Sequence, residues 1–188
     1  YMQRARPEEA RASIQHALSL ASEITRRERQ QLEATNLWIQ GQGREALAQV
    51  KEHLAEFPRD ALLMRLAHLL YNRGCSSVGE ANFPPQFRAL LHGSAPHCED
   101  NWAFLAEYAW AHHETGAIDE AMRLAQQSLD LNPTNAVAAH SVAHVYFERG
   151  DAAAGADFLG NWLNGFACPA SSYVHLSWHL AVFELALG

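Results

Sequence analysis

The chain has 188 residues, 48% of them hydrophobic and 19% charged, with a formal net charge of −7, a composition expected of a soluble protein with a sizeable core. The excess acidity lies after residue 60: residues 1–60 hold nine Lys/Arg against nine Asp/Glu, and 61–188 hold five against twelve. That balance argues against a nucleic-acid partner, whose phosphates need a basic stripe, and no apolar run reaches the roughly 18 residues that a membrane span requires.

No charged segment followed by an apolar one opens the chain, so no secretory signal is expected. Cys75, Cys98 and Cys168 stand far apart without a Cys-x-x-Cys. Neither a disulfide framework nor a thiolate zinc site is therefore expected, and the cytoplasm is the default compartment. The first residue is Tyr1, which leaves open that this is part of a longer chain.

No stretch alternates apolar and polar residues for long, while Ala, Leu, Glu, Gln and Arg fill the periodic segments, which predicts an all-α protein. Pro7 with Glu8 and Glu9 opens a helix over about 7–24, and Thr25 with Glu28 forms a capping box for the next. Gly-containing turns follow at 41–43, 74, 116 and 150.

A period near 34 residues runs through these segments, the mark of stacked helical hairpins. Residues 27–60 carry Gly41, Glu45, Ala46, Leu54 and Pro58. Residues 61–101 begin as a repeat helix in ALLMRLAHLLY and then lose the period, with room only for a short helix after Pro84 and Pro85. Residues 102–135 carry WAFLAEYAWAHHE, Gly116, Asp119-Glu120-Ala121, Leu129, Leu131 and Asn132-Pro133. Residues 136–169 carry Ala143, Tyr146, Gly150 and Asp151. SSYVHLSWHLAVFELALG, 171–188, is a first helix without a partner, so either it caps the array or the chain continues.

These marks resemble the tetratricopeptide (TPR) repeat. One domain over 1–188 is expected, an all-α, right-handed α-α superhelix, that is, a TPR-like solenoid of antiparallel helical hairpins whose first helices line a concave groove. ITRRERQQLEATNLWIQGQG, FPRDALLMRLAHLLY, NPTNAVAAHSVAHVY and YVHLSWHLAVFEL are, more narrowly, similar to the tetratricopeptide repeat protein 38 family. The similarity covers about 25–188 apart from 74–100. Its most specific elements are His140, Val142, Ala143 and His144, then His175, Trp178 and His179. The resemblance implies a TPR-like fold and no established activity.

The TPR likeness also implies which residues face the groove. They are Arg65 and Arg73 in the second unit, then Trp110, His113 and Glu114, then His140, His144 and Glu148, and in the last helix His175 and His179. Chaperone-tail-binding TPR domains need a clamp of several lysines and asparagines, whereas this chain has a single lysine, Lys51.

Residues four apart share a helix face, with Cβ atoms about 5–6 Å apart, and packed helix axes lie about 8–10 Å apart. Two His-x-x-x-His pairs on adjacent first helices can therefore converge. Imidazole nitrogens at about 2.0–2.1 Å suit zinc or another divalent metal, with Glu114 or Glu148 as oxygen ligand or general base. The Glu of His-Glu-x-x-His is missing, so the zinc-protease mechanism has no match. A metal-free polar cluster and purely structural histidines, bonded to neighbouring helices beside Trp178, are the alternatives.

The leading expectation is a binding or scaffold module without a cofactor, its histidine-rich groove holding a peptide or small polar ligand. Trp110 would form an apolar wall, and Arg65 and Arg73 would meet a ligand carboxylate or phosphate. The alternative is a metal-dependent, hydrolytic enzyme with His140, His144, His175 and His179 as ligands. Oligomeric state is left open.

Overall fold

The computed structural model describes residues 6–72, 82–165 and 171–188. They fall into two compact units that divide between Cys98 and Glu99. Among the described residues every regular element is helical, and no helix is long and apolar enough to cross a membrane.

The first unit holds α1 (Pro7–Ser19), α2 (Arg26–Ile39), α3 (Gly43–Glu56), α4 (Ala61–Asn72) and α5 (Phe83–Ser94). Helix α1 starts on Pro7 with Glu8 and Glu9 in its first turn, where a missing N–H costs nothing and negative charge meets the positive end of the helix dipole. It stops at Ser19, short of the expected residue 24, because the chain tightens into a 3-10 turn at Ala21–Glu23. Ala10 and Ile14 of α1 pack with Ile39 of α2, closed over by Leu18, Leu32 and Trp38. The capping box of α2 is formed: Thr25 N donates to Glu28 Oε2 at 2.8 Å and Glu28 N to Thr25 Oγ1 at 3.3 Å. Pro84 and Pro85 sit in the first turn of α5, and Phe87 and Leu91 bury that helix beside Tyr71 of α4.

A buried carboxylate ties three of these helices together. Asp60, 1% exposed, accepts from Arg27 Nε of α2 at 2.8 Å and His53 Nε2 of α3 at 3.0 Å, and Gln31 adds a further bond. Its other oxygen caps α4 through Leu63 N at 3.4 Å. Burial raises the Asp60 pKa, but the bonds from His53, Arg27, Gln31 and Leu63 N outweigh it and hold the carboxyl below its ordinary value.

The second unit holds α6 (Trp102–His113), α7 (Ile118–Leu131), α8 (Ala136–Arg149), α9 (Ala152–Gly165) and α10 (Ser171–Leu187). Asn101 caps α6 by accepting from Ala103 N and Phe104 N, and Asn135 caps α8 by accepting from Val137 N. Gly116 (φ 77°) and Gly150 (φ 68°) end α6 and α8 in the left-handed conformation that L side chains rarely adopt, so α7 and α9 fold straight back on them. Ser128 Oγ donates to Trp102 O at 2.7 Å and Asn135 Nδ2 to Ser128 Oγ at 2.9 Å, a buried link between the start of α6, the end of α7 and the cap of α8.

Helix α8 is the centre of this unit: it packs on α6, α7, α9 and α10. It can, because Ala138, Ala139, Ser141, Val142, Ala143 and Val145 are small and buried, so neighbouring backbones approach closely. Gly155 of α9 makes a socket for α10. A Cβ built there would stand 2.5 Å from Cζ of Phe183, which is itself 2% exposed. Phe183 follows His175 and His179 at steps of four, so the depth at which its ring seats fixes where both imidazoles stand.

Candidate metal centre

Helix α8 supplies His140 and His144, one turn apart, and α10 supplies His175 and His179, likewise one turn apart. Because α8 and α10 are in contact, the two pairs face each other. The four Nε2 atoms converge: His140 Nε2 lies 2.8 Å from His144, 2.9 Å from His175 and 3.0 Å from His179, and the His175–His179 distance is 3.1 Å. The rings meet largely edge to face, for example 81° between His140 and His144 and 89° between His175 and His179. Trp178 stacks on His175, with ring centroids 5.9 Å apart.

Hydrogen bonding cannot account for this cluster. Each Nε2 has one in-plane direction, used either by a proton or by a lone pair, so it joins one N–H···N bond. Four nitrogens therefore make two such bonds at most, for instance His140 with His144 and His175 with His179. The contacts from His140 to His175 and His179 then bring nitrogens together with no proton between them.

Protonation does not relieve the crowding. Burial, then the neighbouring rings His144, His179, His175 and His113, push the His140 pKa down to about 2. Burial, then His144 and His175, take His179 to about 4. His144 is lowered by burial and His113, against an opposite pull from Glu114 and Glu148. His140, His144 and His179 thus favour the neutral form, the state in which an imidazole ligates a metal. Any three of four such nitrogens with a water, or all four, would complete a zinc or related divalent site.

A second group flanks it. His113, at the end of α6, meets His144 edge-on at 4.8 Å and 88°. Its Nδ1 is 3.2 Å from Glu114 Oε1, and its Nε2 is 4.0 Å from Glu148 Oε1. The residues brought together are thus His113, Glu114, His140, His144, Glu148, His175 and His179. Trp110 is on the same helix as His113 but only 7% exposed, so its indole belongs to the interior of the unit. Arg65 lies on α4 of the first unit, with Nη1 3.2 Å from His68 Nδ1, and Arg73 lies outside the described residues. The buried Asp60 and His53 pair had only one signal in the sequence, an Asp directly before a helix after Pro58. A comparison of the chain with models of known protein families finds no match.

Proposed function

We propose that the second unit is a metal-binding module in which His140, His144, His175 and His179 hold one divalent transition-metal ion. The observation that carries this is the convergence of four Nε2 atoms at 2.8–3.1 Å, too many for hydrogen bonds to satisfy. A cation at their centre replaces lone-pair repulsion with four coordinate bonds. Imidazole donors suit zinc, iron, nickel and copper.

The spacing also favours the enzyme reading over a closed structural site. Nitrogens at about 2.1 Å from one ion stand about 3.0 Å apart at right angles and about 3.4 Å apart in a tetrahedron. The shorter value leaves coordination positions for water or a small polar substrate, and His175, the exposed ligand, marks the side they would enter from. The chemistry in reach is Lewis-acid activation of a bound water or carbonyl.

For the fold, the packing of α8 on both α6 and α10 supports a TPR-like, right-handed hairpin array within this unit. The two histidine pairs are also the residues on which the likeness to the tetratricopeptide repeat protein 38 family rests. The cysteine pattern supports a reducing, cytoplasmic setting, and the acidic charge supports partners other than nucleic acid.

The test is metal analysis of the whole chain purified without a histidine tag. Stoichiometric zinc, iron or manganese is expected, with the ion lost from His140→Ala. Protein that carries no metal and titrates none overturns the proposal.

A further inference from the structure

One imidazole stands outside the four. The His113 side chain is 8% exposed, deep enough that leaving a polar atom unsatisfied is costly. A carboxylate only accepts, so Glu114 fixes the proton on His113 Nδ1 and leaves the lone pair on Nε2. That Nε2 is buried and has no hydrogen-bond partner among the described residues. Glu148 Oε1, 4.0 Å away, is beyond hydrogen-bond reach and would in any case meet a lone pair with a lone pair. An imidazole held at one nitrogen by a carboxylate, with the other nitrogen bare, is the arrangement that orients a metal ligand.

We infer that His113 Nε2 and the Glu148 carboxylate hold a second divalent cation beside the four-histidine ion, with Glu114 orienting the ring from its Nδ1 side. An ion about 2.1 Å from both Nε2 and a Glu148 oxygen keeps those atoms about 3.0 to 4.2 Å apart, from a right angle to a straight line. The observed 4.0 Å lies inside that range. The His144 ring meets His113 edge-on with centroids 4.8 Å apart, so His144 borders both groups and the two ions are neighbours. Charge makes the neighbourhood tolerable: the four imidazoles leave the first ion uncompensated, and Glu114 and Glu148 add two negative charges at its flank. One imidazole with a carboxylate is a harder donor set than four imidazoles, so this position favours manganese, iron(II) or zinc over copper.

The word "beside" rests on the four-histidine reading; the His113 position itself does not. The test counts ions. The full chain, stripped with a chelator and loaded with excess zinc or manganese, is examined by native mass spectrometry and elemental analysis. Two ions per chain are expected for the wild type and one for His113→Ala. Glu148→Gln, at a side chain 53% exposed where folding is not at stake, should also bind one. In both variants the remaining ion should be the one that His140→Ala removes. A wild type with one ion, lost in His140→Ala and kept in His113→Ala, overturns the second site alone. One ion with the reverse pattern supports the His113 site and overturns the four-histidine reading. No bound ion overturns both.

Discussion

Nε2 of His140 and Nε2 of His175 are 2.9 Å apart although 35 residues separate them along the chain. Nothing local brings them together. Their approach is a property of how α10 seats against α8 and α9, and a cation between them would bond elements that are distant in sequence. Binding to the folded state alone adds about 2.7 kcal/mol at a hundredfold excess over Kd, roughly 5–11 °C in melting temperature for a chain of this size. Zinc should raise the melting temperature of the wild type by at least that much and leave His140→Ala unmoved. An equal rise in both proteins would mean that the zinc binds elsewhere.

Gly155 and Gly160 both lie within α9, where helix propensity alone favours alanine by about 1 kcal/mol. Their surroundings differ: a Cβ at Gly155 meets the Phe183 ring, while nothing lies within 4 Å of one at Gly160. Gly160→Ala should therefore stabilise by about 0.5–1 kcal/mol, and Gly155→Ala should destabilise by about 1–3 kcal/mol through overpacking. Because Phe183 shares its stripe with His175 and His179, Gly155→Ala should also weaken zinc binding. Denaturant melts and zinc titrations of the two variants check this; matching gains at both positions would remove the socket from the account.

Asp60 supplies the pH dependence. Its carboxyl pKa is lowered in the folded chain, so the stability it contributes is fully present above the unfolded value of about 3.9 and is lost as pH falls through the lower folded value. Wild-type stability should thus decline below about pH 4. Asp60→Asn should cost about 1–3 kcal/mol at pH 7, since Arg27 and His53 lose their charged acceptor. The gap between variant and wild type should narrow on acidification. Urea denaturation at pH 7, 5 and 3.5 measures it, and a gap that widens in acid would contradict the ion-pair role.

Asn135 holds α8 at its start, accepting from Val137 N and donating to Ser128 Oγ. Asn135→Ala removes a helix cap and a buried bond, and a loss of about 1–2 kcal/mol is expected. Thermal melting of the full chain is the check, and a change within a few tenths of a kcal/mol would show that α8 does not depend on this cap.

What the sequence disclosed was mostly local. The Thr25 and Glu28 box and the turns at Gly116 and Gly150 are short-range chemistry, legible because each needs particular residue types at fixed spacing. The i, i+4 spacing likewise puts each histidine pair on one helix face. The distances between the pairs come from elsewhere, from the small residues of α8 and the socket at Gly155, and no pattern in a single helix announces a socket. The Asp60 link joins residues 7 and 33 positions away and became visible only when α2, α3 and α4 were packed. Register alone also misjudges depth: the position assigned to Trp110 is a groove position, yet its ring is buried. The stretch 74–100, where the period is lost, ends beside the division at Cys98 and Glu99, where a weak repeat and the edge of a unit leave the same trace in a sequence.

X-ray absorption at the zinc edge, on the whole chain loaded with one equivalent of zinc, tests the central claim most directly. Imidazole rings give a distinctive outer-shell scattering pattern, so histidine ligands can be counted. A nitrogen-dominated shell at about 2.0–2.1 Å with three to four imidazoles is expected, falling by one in His179→Ala. A shell dominated by oxygen or sulfur, or one unchanged in that variant, would contradict it.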